Sequence, residues 1–440
     1  MVASGAASIA PGTVYFLDNS SLSFKPKSGG GRMTSSDGSI VTGSSARDPA
    51  RVTEIQGAWW IHGHWPMDDM WPGSRPEDDA DCKTLFYNII HDYKEGTHER
   101  TRSLPKPPFA HTSAHIESRR QGASDDADQR YKLFVFGDSF ADTGNVPMSD
   151  KSGTSRAWYY PYGSSDYDHD KKPTGRFSNG MVQSDFVAKI LGRDESPPAE
   201  RLRGQNGVDP FGMNFAVGGA GAYEVSREAP TLGEQIDKFM RLVRHGIIDE
   251  DLKDSVALVA FSGSHDYARV NMSSYADIVA VAKNVVDTIA DGVDRLQELG
   301  VQKVLVNSLP PLGCRPWWSR SNNYTACYGP QDVVTSVHNM YLKQKLGESD
   351  TILLLDLNTI FIKIIVSHGS SPFKHRFTPC CDSFDPVGYC GQEDEDGDVQ
   401  YSVCSVPDQS FYWDYMHPTQ AGWKAVMEQL EEPIKGFLDI

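Results

Sequence analysis

The chain predicts an α/β protein built on a mostly parallel, five-stranded sheet with helices on both faces. Two observations carry this. From Tyr131 onward, apolar runs of strand length alternate with segments of helical period, the order expected when each strand is followed by a crossover. Three of the runs also stop abruptly at Gly, Ser or Asp residues, as strands do where the chain turns at a sheet rim.

The elements follow in order. Strands are expected at Lys132 to Phe136, Met213 to Val217, Ser255 to Phe261, Lys303 to Leu309 and Thr351 to Asp356. The clearest helix runs from Tyr275 to Leu299, where Ile278, Val281, Val285, Ile289, Val293 and Leu296 fall at three- and four-residue steps and form one apolar stripe for the core. A last helix is expected to begin at Pro418, because the missing N–H of proline costs nothing at a first helical position. Residues 129–440 then form one domain. Residues 1–128 differ in kind: Asn19 to Arg47 is rich in Ser and Gly, and Trp59, Trp60, Trp65 and Trp71 follow without strand or helix period. This stretch is expected to be a low-order extension, its tryptophans being a docking patch or upstream sequence foreign to the native protein.

Composition excludes several classes. At 440 residues with a net charge of −17 and pI near 5.2, the chain lacks the cationic excess that displaces counterions from a phosphate backbone, so no nucleic-acid partner is expected. No run reaches the roughly 18–20 apolar residues of a transmembrane helix, and Met1 to Val14 shows neither the basic flank nor the apolar run of a secretion signal. Six of the seven cysteines, Cys314, Cys327, Cys380, Cys381, Cys390 and Cys404, fall after residue 310, with Cys82 apart. That crowding suits disulfides in an oxidising compartment; the alternative is reduced thiols in the cytosol. Of the fifteen pairings open to six cysteines, only Cys314 with Cys327 is singled out. Paired C-x-x-C spacings for zinc are lacking, and the acidic run Glu393 to Asp398 lacks the glycine and closing glutamate of an EF-hand loop. Asn271-Met272-Ser273 and Asn323-Tyr324-Thr325 match the glycosylation acceptor pattern.

The chemistry-bearing residues sit where the strands end. The first strand stops at Gly137, Asp138 and Ser139, and in an open α/β sheet ligands bind beyond the carboxyl ends of the strands. A serine hydroxyl needs a base to take its proton as it attacks. Asp414 and His417 lie on a single turn, close enough for the carboxylate to orient the imidazole while the other ring nitrogen faces Ser139. Taken alone, Asp414 would be a helix cap, His417 a surface histidine and Ser139 a turn residue. Two further segments suit an oxyanion hole: Asn214 to Gly221, whose glycines let backbone N–H groups approach a ligand, and Phe261 to Asp266. A plain turn is the bland reading of each, but in a parallel sheet all three segments emerge at one rim.

Phe136-Gly137-Asp138-Ser139-Phe140-Ala141-Asp142-Thr143-Gly144-Asn145, Thr174-Gly175-Arg176-Phe177-Ser178-Asn179-Gly180, Asn214 to Gly221 and Asp414 to Pro418 together resemble the ordered blocks of plant GDSL esterases/lipases of the SGNH hydrolase superfamily, with Phe140 in place of the leucine. The resemblance spans Tyr131 to the C-terminus. It implies a three-layer α/β/α sandwich of flavodoxin-like type, a serine esterase or lipase needing no cofactor or metal, Ser139 as nucleophile, His417 as base and Asp414 as its partner. The Ser139 and Gly219 N–H groups would line the oxyanion hole, with Gly218 as the neighbouring alternative to Gly219. The family also implies export, and a small-molecule, lipid or polymer ester as substrate.

One block departs from the family. Where the pattern reads G-x-N-D, with the asparagine donating to the oxyanion, this chain reads Gly263-Ser264-His265-Asp266. Asparagine donates at every pH, but a given histidine nitrogen donates only in the right tautomer or when protonated. A slow or pH-sensitive esterase is therefore expected. Acyl transfer by the same triad and a catalytically weak ester-binding protein are the competing readings.

Overall fold

The computed structural model describes residues 131–149, 153–206, 209–223, 229–347, 349–366 and 371–440, and, before these, the backbone of five short strands. The chain divides into two units, Met1–Pro105 and Lys106–Ile440. In the first, β1 (Leu22–Lys27), β2 (Gly30–Ser35) and β3 (Ile40–Thr42) pair antiparallel in that order, as do β4 (Arg51–Ile55) and β5 (Ala58–His62). Trp59 and Trp60 thus fall in a strand. The rest of the expected low-order extension, with Cys82, Trp65 and Trp71, lies outside the described residues.

The second unit is organised by a five-stranded parallel sheet of β6 (Lys132–Gly137), β7 (Gly212–Asn214), β8 (Ser255–Ala260), β9 (Lys303–Asn307) and β10 (Ile352–Leu355). The spatial order is β10-β9-β8-β6-β7, the flavodoxin-like arrangement, in which strand order reverses beside the first strand. Side chains of β6 alternate between the two faces. Leu133 and Val135 join a core with Val256, Leu258, Phe361, Trp423 and Val426. This face is covered by helices α1 (Gln183–Ile190), α5 (Leu357–Val366) and α6 (Gln420–Leu438). Phe134 and Phe136 point the other way, against Phe239 at ring-centroid distances of 4.8 and 5.6 Å. Phe239 belongs to α2 (Leu232–Arg244), which packs with α3 (Tyr275–Glu298), itself packed on α4 (Gly329–Leu346). Each fully buried aromatic or leucine contributes about 1.5–3 kcal/mol, so both helix layers are strongly held. The fold is the expected three-layer α/β/α sandwich.

The expected elements are present with different bounds, and the differences have local causes. Regular pairing of β7 ends at Asn214 instead of Val217: the Phe215 and Val217 N–H groups still donate to the Val135 and Gly137 carbonyls at 2.7 and 3.1 Å, but the Gly137 N–H that would complete the ladder is taken by the Gln235 side chain at 2.9 Å. The fourth strand ends at Asn307, since the Leu309 N–H donates to the Asn339 side chain at 2.7 Å and Pro310 has none to offer. The apolar stripe of α3 is buried as expected at Ile278, Val285, Ile289, Val293 and Leu296. The last helix starts at Gln420, two residues beyond the expected Pro418, because the Thr419 hydroxyl accepts the Gly422 N–H at 2.9 Å and caps it. Among the described residues no helix is long and apolar enough to cross a membrane.

Candidate active site

Ser139 sits on the turn that ends β6 and is 8% exposed. Local structure fixes that turn. Gly137 has φ +150°, and a Cβ there would lie 2.2 Å from the Ala260 carbonyl oxygen, so no larger residue fits between β6 and β8. Gln235 of α2 grips the same residue twice: its Nε2 donates to the Gly137 carbonyl and its Oε1 accepts the Gly137 N–H, both at 2.9 Å. Asp138 crosses to the end of β8, accepting from the Ser262 N–H at 2.8 Å and the Ser262 hydroxyl at 2.6 Å. The serine is thus anchored between the first and third strands of the sheet, at the point where strand order reverses.

Asp414 and His417 reach the same place from the far end of the chain. His417 Nε2 lies 2.8 Å from Ser139 Oγ, and His417 Nδ1 lies 2.8 and 2.9 Å from the two Asp414 oxygens. An ionised carboxylate only accepts, so Nδ1 carries the proton and Nε2 is left to accept from the serine hydroxyl. Burial works against ionisation of Asp414. His417, through its charge and hydrogen bond, outweighs that, helped by Arg156 and the Met416 N–H, and the carboxyl is held well below the usual carboxylate range. Asp414 therefore orients the imidazole and does not cap the final helix.

The Thr174 to Gly180 motif holds this loop in place. Ser178 Oγ donates to the Pro418 carbonyl at 3.2 Å, Asn179 Oδ1 accepts the Gln420 N–H at 2.8 Å, and the Phe177 ring packs 5.2 Å from the His417 ring. Arg176 closes the motif on α1 with two bonds to Asp185, at 2.9 and 2.8 Å. A paired, fully hydrogen-bonded ion pair of this kind tolerates burial.

The glycine segment is fixed by Asp142, three residues after Ser139 in the same block. Asp142 Oδ2 accepts the Gly218 N–H at 2.7 Å, and Oδ1 accepts from Gly144 and Asn145 at 2.7 and 2.6 Å. Burial raises its carboxyl to about 6 despite those bonds. The Gly218 N–H is thus committed to Asp142. Among the described residues, the N–H groups of Ser139 and Gly219 donate to no protein acceptor, and Gly219 has φ +90°, which favours glycine. Asp266 ties the next residues of the same segment to the end of β8, accepting from the Ala222 and Tyr223 N–H groups at 3.1 and 2.8 Å.

His265 lies near enough to Asp138, His417 and Arg315 for their charges to act on it. Burial, offset in part by Asp138, holds its imidazole below the ordinary histidine value. Arg315, buried and unanticipated, spans the segment before it, donating to Ser264 Oγ at 2.6 Å and to the Ser262 carbonyl. Burial brings its guanidinium down to about 10. Arg315, Gln235, Arg156 and Tyr162 were missed in the sequence because each lies outside the blocks and acts across long separations. Among the described residues no group of three or more His, Cys, Asp or Glu is placed to hold a metal ion. Three disulfides are formed, Cys314–Cys327 as expected, together with Cys380–Cys404 and Cys381–Cys390.

A serine hydroxyl, an imidazole, a carboxylate and two N–H groups without a protein acceptor lie at one rim, an arrangement suited to acyl transfer. Comparison with known proteins agrees. Residues 133–430 match the family described as GDSL-like Lipase/Acylhydrolase. GDSL esterase/lipase At5g03610 of Arabidopsis thaliana is 36% identical over 324 residues, 70% of this chain and 88% of that protein. GDSL esterase/lipase At3g09930 of the same plant is 34% identical over 323 residues, 70% and 89% of the two chains. A solved catalytic mutant of an acetylxylan esterase from Geobacillus stearothermophilus aligns at 12% identity and TM-score 0.32, over 70% of this chain and 94% of that one; at that overlap it carries no argument about substrate. With the family matched from the first sheet strand into the last helix, the chain belongs to the GDSL-like lipase/acylhydrolases and is an ester hydrolase of the GDSL esterase/lipase type.

Proposed function

We propose that the chain cleaves carboxylic esters through an acyl-enzyme on Ser139, with His417 as base and Asp414 as its orienting partner. One observation carries the reading: an unbroken line of hydrogen bonds from Ser139 Oγ through His417 to Asp414, each at 2.8–2.9 Å. Nε2 takes the serine proton as Oγ attacks the ester carbonyl, and Asp414 stabilises the imidazolium that results. The carbonyl oxygen becomes an oxyanion facing the Ser139 and Gly219 N–H groups, with His265 as third donor. The imidazolium then protonates the leaving alcohol. Water, deprotonated by His417, attacks the acyl-enzyme and frees the acid; the chemistry calls on no metal or cofactor. The substrate class is a small-molecule, lipid or polymer ester. Three disulfides support a working place in an oxidising, extracellular or secretory compartment, and residues 129–440 are proposed as the catalytic domain.

Labelling with a fluorophosphonate probe tests this directly. Wild-type protein should be modified at Ser139, and Ser139→Ala should not react. A folded wild type that resists the probe would be an ester-binding protein without turnover, and the reading would fall.

A further inference from the structure

The far side of Asp414 is occupied by two residues that the acyl-transfer scheme does not use. The Tyr162 hydroxyl donates to Asp414 Oδ2 at 2.7 Å, and Arg156 Nε donates to the Tyr162 hydroxyl at 2.8 Å. Arg156 Nε also lies 3.7 Å from Asp414 Oδ2. Tyr162 is fully buried, in a small core made by Cys380, Cys381, Cys390, Tyr401 and Trp413. A hydroxyl held between a guanidinium and a carboxylate has one orientation open to it: it accepts from the first and donates to the second. The guanidinium also lies over the Phe177 ring at 5.4 Å, and that ring is the one packed against His417.

We propose that Arg156 and Tyr162 are positioning residues that clamp Asp414 from behind, fixing the carboxylate so that it holds the His417 imidazole in one tautomer and one orientation toward Ser139. Asp414 Oδ1 already accepts from the Met416 and His417 N–H groups at 2.8 and 2.9 Å. The Tyr162 hydroxyl supplies the matching bond on Oδ2, so neither oxygen can swing away from the imidazole. Arg156 balances the buried negative charge, which would otherwise be costly at this depth. Burial pushes the Tyr162 hydroxyl well above the ordinary tyrosine value, and the Asp414 charge adds to this, so it stays a donor at every working pH. The clamp presupposes the roles given above to Ser139, His417 and Asp414.

The pH profile distinguishes positioning from simple packing. The acid limb of kcat/KM follows the base in the free enzyme. Facing the His417 imidazole are Asp414 from its own loop, Ser139 from the end of β6, and His265 from the end of β8, with Asp138 and Arg315 acting on His265, while Arg156 stands behind Asp414 with its Nε 3.7 Å from Oδ2. A cation close to an imidazole disfavours its charged form. Removing Arg156 in Arg156→Met should therefore raise the acid limb by at least about half a unit, a size consistent with one charge several ångströms away. Variants that share His265 cancel its contribution in the comparison.

Tyr162→Phe should lower kcat about tenfold, less than the roughly hundredfold that a 1 Å misplacement can cost, with KM nearly unchanged. Its limb should move the same way by less, because the unbound Oδ2 leaves more negative charge facing the imidazole. Arg156→Lys should restore the limb but not kcat, since an ammonium keeps the charge and loses the planar Nε–H. If the folded variants keep both the wild-type kcat and the wild-type limb, the clamp is overturned. Failure of Tyr162→Phe to fold would also overturn it, because the hydroxyl would then be structural. Wild type that is labelled at Ser139 alongside unmoved limbs would remove the clamp alone; wild type that is not labelled would remove the underlying assignment.

Discussion

At position 265 a histidine stands where the family pattern has asparagine, and its surroundings decide what that does. Burial favours the neutral imidazole, and the His417 and Arg315 charges add to that preference. A neutral imidazole donates from one nitrogen only, so the third oxyanion donor proposed for His265 exists only in the tautomer whose N–H faces the site. One well-placed donor is worth about a hundredfold to a thousandfold in turnover. His265→Asn is therefore expected to raise kcat on a short-chain aryl ester by roughly tenfold or more. The sign with pH also follows. Above the depressed histidine value the wild type depends on its tautomer, and below it both nitrogens donate, so the advantage of the variant should be greatest at neutral pH and shrink as pH falls. A rate that is unchanged or lower in the variant at neutral pH would show that His265 already serves as a full donor. Ser139, Asp414 and His417 were legible in the sequence because each stands in a short block of fixed spacing. The Gly218 ambiguity was not, because the competing claim on its N–H comes from Asp142, seventy-six residues away. Arg156 and Tyr162 left no trace at all, since a buried Arg–Tyr pair has no spacing that marks it.

Among the elements, the segment carrying the two later disulfides governs how well the Asp–His loop is held. The Cys380 N–H donates to the Tyr412 carbonyl at 3.0 Å and the Cys381 N–H to the Trp413 carbonyl at 2.6 Å, so the chain just before Asp414 is docked on the two adjacent cysteines. Cys380–Cys404 and Cys381–Cys390 close loops with sequence separations of 24 and 9. In the chain-entropy view each bridge stabilises by about 3 kcal/mol. Cys314–Cys327, with a separation of 13, should be worth about the same, but the segment it closes holds the loop by a single main-chain bond, the Trp317 N–H donating to the Tyr415 carbonyl at 3.0 Å. Replacing Cys380 and Cys404 together by Ser should therefore lower both Tm and kcat, whereas replacing Cys314 and Cys327 should lower Tm with a smaller loss of kcat. Thermal melts and steady-state kinetics on the two double variants check this, and equal losses of kcat would show that the 380 segment has no special hold on the catalytic loop. The sequence indicated the cysteine crowding and one pairing. It could not indicate the other two, because Cys380 and Cys381 are adjacent and only the β11 (Cys381–Ser383) and β12 (Tyr401–Val403) pairing brings their partners alongside. Strand ends were misjudged for a related reason: Gln235 and Asn339 divert ladder hydrogen bonds into side chains, which apolar runs do not register.

On the scale of the whole molecule, the parallel sheet explains why residues nearly three hundred positions apart share one site. Every strand that contributes to the site points its carboxyl end the same way, so β6, β7 and β8 deliver Ser139, Gly219 and His265 to one rim. The last loop before α6 then drops His417 onto the reversal between β6 and β8. This logic needs only the unit that contains the sheet. Its first described residue is already tied into it: the Tyr131 hydroxyl donates to the Leu438 carbonyl at 3.2 Å, and the Tyr131 carbonyl accepts from Arg193 at 2.7 Å. The family match begins at residue 133 and the contact division falls at Pro105. A chain of residues 129–440 should therefore fold, form the three disulfides and hydrolyse a soluble aryl ester with kcat/KM within about twofold of the full chain, the scatter of a change remote from core and site. Truncation into the anchored residue should behave differently. A chain starting at Leu133 loses both Tyr131 contacts and the Lys132 end of β6, so its Tm should fall even though the catalytic residues are intact. Purification of the two truncations, followed by thermal melts and kinetics, separates the cases. If the chain from residue 129 fails to fold or loses most of its activity while the full chain is active, residues 1–128 contribute to the working enzyme, and the catalytic domain does not begin where proposed.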